Sequence, residues 1–255
     1  MKRWIKSLVP KRVWLFLGGI RHKVFPKYWR KSYSQEGEDI LLETFLFQKD
    51  TGFYVDVGAH HPMMYSNTYL LYRRGWRGLN IDANPNSMQL FNRFRPRDIN
   101  VESAVASTRQ ELTYYVFNAP ALNTFSEKLA QQREGGAYSI VRRINMVTAP
   151  LGELLAKHVP PNVSIDLLTV DVEGLDYDVL HSNDWHRYSP EFILVECFQS
   201  ATMGQLELDP IARLLFDQGY SIVAKTKNTV LFKQDPSERK ESALVRKEPE
   251  SSWKE

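Results

Sequence analysis

One cysteine in 255 residues, Cys197, excludes an intramolecular disulfide framework and any cysteine-built zinc site. It lies in the apolar run Phe192–Phe198 and reads as a small core residue rather than a nucleophile. Glycine is scarce where a dinucleotide loop needs it. After the apolar segment Phe53–Val57 only Gly58 is present, followed by Ala59, His60, His61 and Pro62. A pyrophosphate must lie against backbone with no Cβ in the way, so without G-x-G-x-x-G no phosphate cradle is visible. Long apolar runs are also missing from the amino-terminal region. Val13–Leu17 with Gly18, Gly19 and Ile20 falls far short of the ~20 residues that span a bilayer. Where a signal peptide would place a small-residue cleavage site, Arg21-His22-Lys23 stands instead.

Acid is absent from the first 31 residues, which hold ten of the 33 Lys and Arg; the rest of the chain carries 23 basic against 30 acidic residues. The basic arm interleaves its charges with Trp4, Trp14, Phe16, Phe25 and Trp29. Aromatics at headgroup level and cations against anionic lipid make it an expected peripheral membrane contact, with a solvated arm as the alternative. The acidic body argues against nucleic acid as a partner. Residues 234–255, dense in Lys, Glu, Ser and Pro, cannot bury enough surface to fold and are expected to be disordered. The expected organisation is a basic aromatic arm over 1–31, one domain over 32–233 and a charged tail over 234–255, in the cytoplasm or at the membrane surface.

Between arm and tail, β and α patterns alternate. Phe53–Val57 and Leu79–Asp82 read as buried strands that end in or beside an acid, with a helix between them around 66–74. The 26 residues from Asp56 to Asp82 suffice for one crossover between adjacent parallel strands. Further helices are expected over 36–47, 84–94, 150–158 and 210–218, with a short one after Gly174. Further strands are expected over 99–105, 111–117, 164–170 and 191–197, with a closing hairpin of 221–225 and 230–233. Residues 119–137 read as loop. The whole predicts an α/β fold, a Rossmann-like sheet that is mostly parallel, with helices on both faces and an antiparallel carboxy-terminal hairpin.

Ligands in such sheets sit outside the carboxyl ends of the strands. Asp56, Asp82, Asp171 and Glu196 all fall there, a set of mutually repelling acids that folding alone would not choose. An acid that ends the second strand can take two ribose hydroxyls at once. Gly58 is expected to bring backbone N–H groups close to a nucleoside ligand. In Asp171-Val-Glu-Gly174, two carboxylates two residues apart can accept a proton from a hydroxyl or, with Glu196, hold a hard divalent cation such as Mg²⁺. The alternative is that Asp171 only caps the next helix. Of the adjacent His60 and His61, one is a candidate base; loop hydrogen bonding is the alternative for each. No histidine has metal-ligand spacing.

Seven motifs in order, Tyr33-Ser-Gln-Glu-Gly-Glu-Asp39, Phe53–Pro62, Ser66-Asn-Thr68, Gly75-Trp-Arg-Gly78, Ile81-Asp-Ala-Asn-Pro85, Asp171–Gly174 and Leu194-Val-Glu196, give the chain a resemblance to the FkbM family of S-adenosylmethionine-dependent methyltransferases. The resemblance implies a class I methyltransferase fold and methyl transfer to oxygen, on a saccharide, glycolipid or secondary-metabolite hydroxyl. By position it implies that Asp56, Gly58 and Ala59 line the methionine and ribose side of the cofactor and that Asp82 binds the ribose. Ala83 and Asn84 would border the adenine, with Ser103 and Ala104 on its other face. Ser34, Gln35 and Asp39 would cover the cofactor, helix capping being their alternative role. The hydroxyl proton needs an acceptor, so Asp171 or Glu173 is the expected catalytic base or metal ligand, with Glu196 in support and His60 as the competing base. His60-His61-Pro62 departs from the Asn-containing loop of many members. Two rivals remain at this stage: a nicotinamide-dependent oxidoreductase, and a non-catalytic binding module on the same fold.

Overall fold

A computed structural model describes residues 30–197 and 202–236. The chain divides into two units, Met1–Ser32 and Tyr33–Glu255, and the fold is that of the second. The basic arm, apart from residues 30 and 31, and the charged tail beyond residue 236 lie outside the described residues. Among the described residues no helix is long and apolar enough to cross a membrane.

Seven strands form one sheet. The first three are β1 (Phe53–Val57), β2 (Arg77–Asp82) and β3 (Ile99–Glu102). Numbering in chain order, the others are β7 (Leu167–Val170), β8 (Phe192–Glu196), β9 (Tyr220–Lys225) and β10 (Thr229–Gln234). Their order is β3-β2-β1-β7-β8-β10-β9. The first five run parallel, whereas β10 is antiparallel to both β8 and β9. This is the Rossmann-like sheet the sequence predicts, with its reversed closing hairpin.

Every residue of β1, β7 and β8 is buried, because helices cover both faces of a parallel sheet. Period-two alternation divides the strands between two cores. Val55, Val57, Leu168, Val170, Ile193 and Val195 meet α5 (Leu151–His158), α6 (Asp176–His181) and α8 (Pro210–Asp217) on one side. Tyr54, Leu167, Phe192 and Leu194 meet α1 (Glu38–Leu46) and α2 (Tyr69–Arg73) on the other.

The structure departs from the sequence reading in the middle of the chain. The single strand expected over 99–105 divides at Ser103 into β3 and β4 (Ala104–Val105), and β4 belongs to a second sheet. There β6 (Ile140–Ala149) pairs parallel with β4 and antiparallel with β5 (Glu111–Phe117). The sequence reading has no counterpart to β6. The stretch read as loop holds a 3₁₀ turn, Pro120–Leu122, and α4 (Glu127–Arg133), capped by the Ser126 side chain, which accepts from the Leu129 N–H. The helix between β2 and β3, α3 (Ser87–Phe94), and the four-residue α7 (Met203–Leu206) complete the described elements.

A buried arginine, Arg95, holds the β1–β2 side together. Its guanidinium lies among the rings of Tyr54, Tyr69, Tyr72 and Phe91, 5.4 to 5.9 Å from their centroids. It donates to Thr68 Oγ1 at 2.7 Å and Asn80 Oδ1 at 3.2 Å, and Thr68 in turn donates to Asp56 at 2.6 Å. Its Nε lies 3.3 Å from Asp98, whose carboxylate also accepts from Tyr54 Oη, Gly78 N and Asn80 Nδ2. Loss of the cation strands buried acceptors, so Arg95→Met is expected to lower unfolding free energy by about 3–5 kcal/mol in urea titrations.

Burial pushes the Asp56 carboxyl up to about 6, against the opposing effects of Arg95 and Thr68. A raised folded value means this group's stabilisation is complete below the ordinary 3.8 and is lost as pH rises through about 6. Unfolding free energy measured from pH 4 to 7 is therefore expected to decline more steeply in the wild type than in Asp56→Asn.

Candidate active site

The carboxyl ends of β1 and β7 approach so closely that a Cβ on Gly58 would stand 1.7 Å from the Asp171 carbonyl oxygen. Gly58 also has φ +82°, so glycine is required on both counts. The backbone N–H groups of Gly58 and Ala59 both donate to Ile81 C=O, at 2.9 and 3.1 Å. The expected role of Gly58 is thereby corrected. Its freedom serves backbone packing, and neither N–H is offered to a ligand.

Outside these strand ends lies a cavity of about 650 Å³. Gln35, Gly58, His60, Asp82, Ala83, Asn84, Ser103, Asp171 and Glu173 all line it. Asp82, buried at the end of β2, accepts His60 N on one oxygen and Asn84 N on the other, both at 2.8 Å. Those two bonds fix the loops after β1 and β2 around a single carboxylate. Each oxygen retains a second lone pair, so a bidentate acceptor for paired hydroxyls remains. Burial raises the Asp82 carboxyl, and the two N–H bonds oppose that rise.

Five other positions predicted for the cofactor, Ser34, Asp39, Asp56, Ala59 and Ala104, do not line the cavity. Asp56 shares a sheet face with Tyr54 and Asn80 and is taken up by Thr68 in the Arg95 network. Ala59 packs with Met88 and Phe91, and Ala104 is buried in β4. Asp39, in the first turn of α1, holds the segment before the helix: its carboxylate accepts Tyr33 N, Ser34 Oγ and Ile40 N, at 2.7 to 2.9 Å. Neighbouring Glu36 accepts from Thr226 Oγ1, Asn228 N and Asn228 Nδ2, which ties the segment to the β9–β10 turn. Glu36, the residue after Gln35, and Asp39, which binds Ser34 before it, thus hold Gln35 at the cavity.

On the β7 side, Asp171, Glu173 and Glu196 each bring an oxygen within 4.8 Å of the others. Glu173, at φ +56° and followed by Gly174 at φ +104°, is clamped from the β5–β6 insertion. Thr124 Oγ1 donates to its carbonyl at 2.7 Å, and Arg133 pairs with its carboxylate. Asp171 does not cap the next helix: α6 has Leu175 at its N-cap and no side-chain cap, and the loop before it is held by Asp176, which accepts Val172 N and Gly174 N at 3.1 and 3.0 Å. Asp171 is left with a buried oxygen that has no hydrogen-bond partner, and so is Glu196. Burial first, and then neighbouring negative charge, hold both carboxyls well above the usual range.

His60 lies between Asp82 and Glu173, both of which favour its cationic form. Burial outweighs them, lowers its pKa and leaves a neutral imidazole at pH 7. His61 is a loop histidine whose Nδ1 accepts Met63 N and Met64 N at 3.1 and 3.0 Å. The insertion supplies lining that the sequence reading missed, among it Tyr114, Leu122, Asn123 and Phe125. Asn123-Thr-Phe125 has no periodicity to mark it, and only pairing of Thr124 with Tyr115 brings it to the cavity.

The donor set fits a nucleoside without phosphates, because it offers a ribose-type acceptor, no free backbone cradle and a surplus of negative charge. Structures with a likeness to this one include a TehB-like SAM-dependent methyltransferase from Corynebacterium glutamicum (9% identity, TM-score 0.39, covering 88% of this chain and 97% of that one). A methyltransferase from Geobacter sulfurreducens (12%, 0.40, 91% and 95%) and an O-methyltransferase from Bacillus cereus in complex with SAH (10%, 0.40, 89% and 92%) are similar to the same degree. No curated protein matches the chain. The profile of the methyltransferase FkbM domain matches residues 56–222, from the end of β1 into β9. The chain therefore belongs to the FkbM methyltransferase family, whose cofactor is S-adenosylmethionine.

Proposed function

We propose that the chain methylates a hydroxyl oxygen of a saccharide, glycolipid or secondary metabolite. The observation that carries this reading is one cavity that joins a ribose-type acceptor, Asp82, to a desolvated carboxylate, Asp171. Bound there, S-adenosylmethionine supplies an electrophilic methyl group: its C–S bond breaks as the acceptor O–C bond forms, leaving S-adenosylhomocysteine. Asp82 receives the two ribose hydroxyls on its free lone pairs. Ala83, Asn84 and Ser103, which line the same cavity, would border the base, and Gln35 would cover the cofactor. These contacts fix the in-line geometry that the displacement needs.

An alcohol is a poor nucleophile until its proton has somewhere to go. Asp171 takes that proton, because burial gives its carboxylate a high proton affinity and one oxygen is uncommitted. Glu173 is already engaged by Arg133. His60, neutral and in the cavity wall, is the competing acceptor. Tyr65 and Tyr138, exposed aromatics on the lining, offer flat apolar faces to a sugar or polycyclic acceptor. The basic aromatic arm, meeting anionic lipid, would bring a lipid-linked acceptor within reach.

Calorimetry with S-adenosylhomocysteine tests the cofactor contact. Asp82→Asn is expected to weaken binding by about 10–100-fold through lost charged hydrogen bonds, with an unchanged far-UV spectrum. Binding unchanged in the variant overturns the assignment of Asp82.

Turnover separates the two candidate bases. With an accepted hydroxyl substrate, Asp171→Asn is expected to lower kcat by about 10²–10⁴-fold while S-adenosylhomocysteine affinity is kept. A loss of that size in His60→Gln, with Asp171→Asn near wild type, would transfer the role to His60.

A further inference from the structure

Two carboxylate oxygens near the cavity are out of water and have no hydrogen-bond partner: Asp171 Oδ1 and Glu196 Oε2. Glu196 is only 9% exposed, so this is a carboxylate group inside the protein rather than a solvated rim. Buried polar atoms in folded proteins are nearly always satisfied, and leaving one bare is costly. Two such atoms within reach of a third carboxylate, Glu173, call for a compensating species.

The charges identify its kind. Three carboxylates meet within 4.8 Å and one cation, Arg133, is paired with them, through Glu173. With Asp171 and Glu196 deprotonated, as ligation of a cation requires, two negative charges remain to be balanced. Asp56 and Asp176, buried nearby, are negative as well and relieve nothing. Every donor is a carboxylate oxygen, the chemistry of a hard divalent ion and not of a soft one. The backbone holds the ligands in place from three elements. Asp171 follows β7, with its N–H on Val57 C=O at 3.0 Å; Glu196 ends β8; Glu173 is fixed through its carbonyl by Thr124.

We propose that Asp171, Glu173 and Glu196 bind one divalent cation of the Mg²⁺ or Mn²⁺ type at the floor of the methyl-transfer cavity. Asp171 and Glu173 line the cavity and Glu196 stands behind them, so the open coordination positions face the acceptor. Binding of the ion does not depend on the methyltransferase reading. Its role rests on that reading: the cation orients the acceptor hydroxyl beside Asp171 and lowers the cost of its deprotonation.

The test uses the full chain stripped with EDTA and titrated with Mn²⁺, with free Mn²⁺ read by electron paramagnetic resonance. One Mn²⁺ per chain is expected, displaced by excess Mg²⁺. Glu196→Gln, which keeps the side-chain volume, is expected to weaken it by about tenfold or more because charge count sets the affinity. Glu207→Gln, at an exposed position after α7, is expected to match wild type. Calorimetry with S-adenosylhomocysteine on the same samples shows that the variants are folded and separates the two claims. Cofactor binding without a Mn²⁺ site, or Mn²⁺ affinity unchanged in Glu196→Gln, overturns the cation site and leaves the methyltransferase reading standing. Mn²⁺ binding that depends on Glu196, with no cofactor binding, upholds the site and overturns the reading of the cavity.

Discussion

The contact between Gly58 and the Asp171 carbonyl is the constraint on which the rest of the site depends. Two parallel strands end side by side, and the chain leaving β1 passes where a side chain would otherwise stand, 1.7 Å from that oxygen and 2.7 Å from its carbon. Both are backbone atoms and neither yields as a flexible side chain would. Because β1 and β7 are neighbours in the register Val57↔Val170, the loop carrying His60 and the loop carrying Asp171 and Glu173 open into one cavity. Ile81 C=O then accepts both N–H groups of the Gly58–Ala59 turn, which brings the end of β2, and Asp82 with it, to the same place.

Around that point the protein interior is unusually polar. On the α2 side, Arg95 and Asp98 are fully enclosed, and their hydrogen bonds link β1, β2 and the start of α2. On the cavity side, acids from β7 and β8 are desolvated with less compensation. A network of the first kind stabilises because nearly all its polar atoms are hydrogen-bonded, Arg95 Nε meeting Asp98 only as an ion pair, whereas a half-satisfied one stores free energy for a ligand to release. The β5–β6 insertion is what keeps the second kind in place. Through Thr124 and Arg133 it fixes Glu173 in a left-handed backbone conformation that an isolated loop would not hold.

The sequence made the strands of the main sheet legible because an apolar run of four to six residues that stops at an acid has few other meanings. The same rule exposed Asp82 and Asp171. It misplaced Asp56, and alternation explains why: Asp56 is two residues from Tyr54 and opposite Asn80, which puts it on the Arg95 face rather than at the cavity. Strand β6 was illegible because its outward positions carry Arg142, Arg143 and Asn145, and its partner lies across a 22-residue insertion. Nothing local distinguishes Arg95 from the exposed Arg93 and Arg97 beside it. Its burial is a property of four rings that converge from β1, α2 and α3.

The two rival chemistries for such a sheet differ in what they ask of the first turn. A dinucleotide needs backbone N–H groups free to meet a pyrophosphate, with small residues to let it approach. Here the N–H groups of Gly58 and Ala59 are spent on Ile81, the His60 N–H is spent on Asp82, and a histidine side chain occupies the turn. The electrostatics point the same way. Asp82, Asp171 and Glu173 face the cavity with Arg133 already engaged, so a bound diphosphate would meet like charge, whereas a sulfonium would meet its opposite. The features that bar the phosphate cofactor, a filled turn and a surplus of carboxylate, are those that suit a cationic methyl donor.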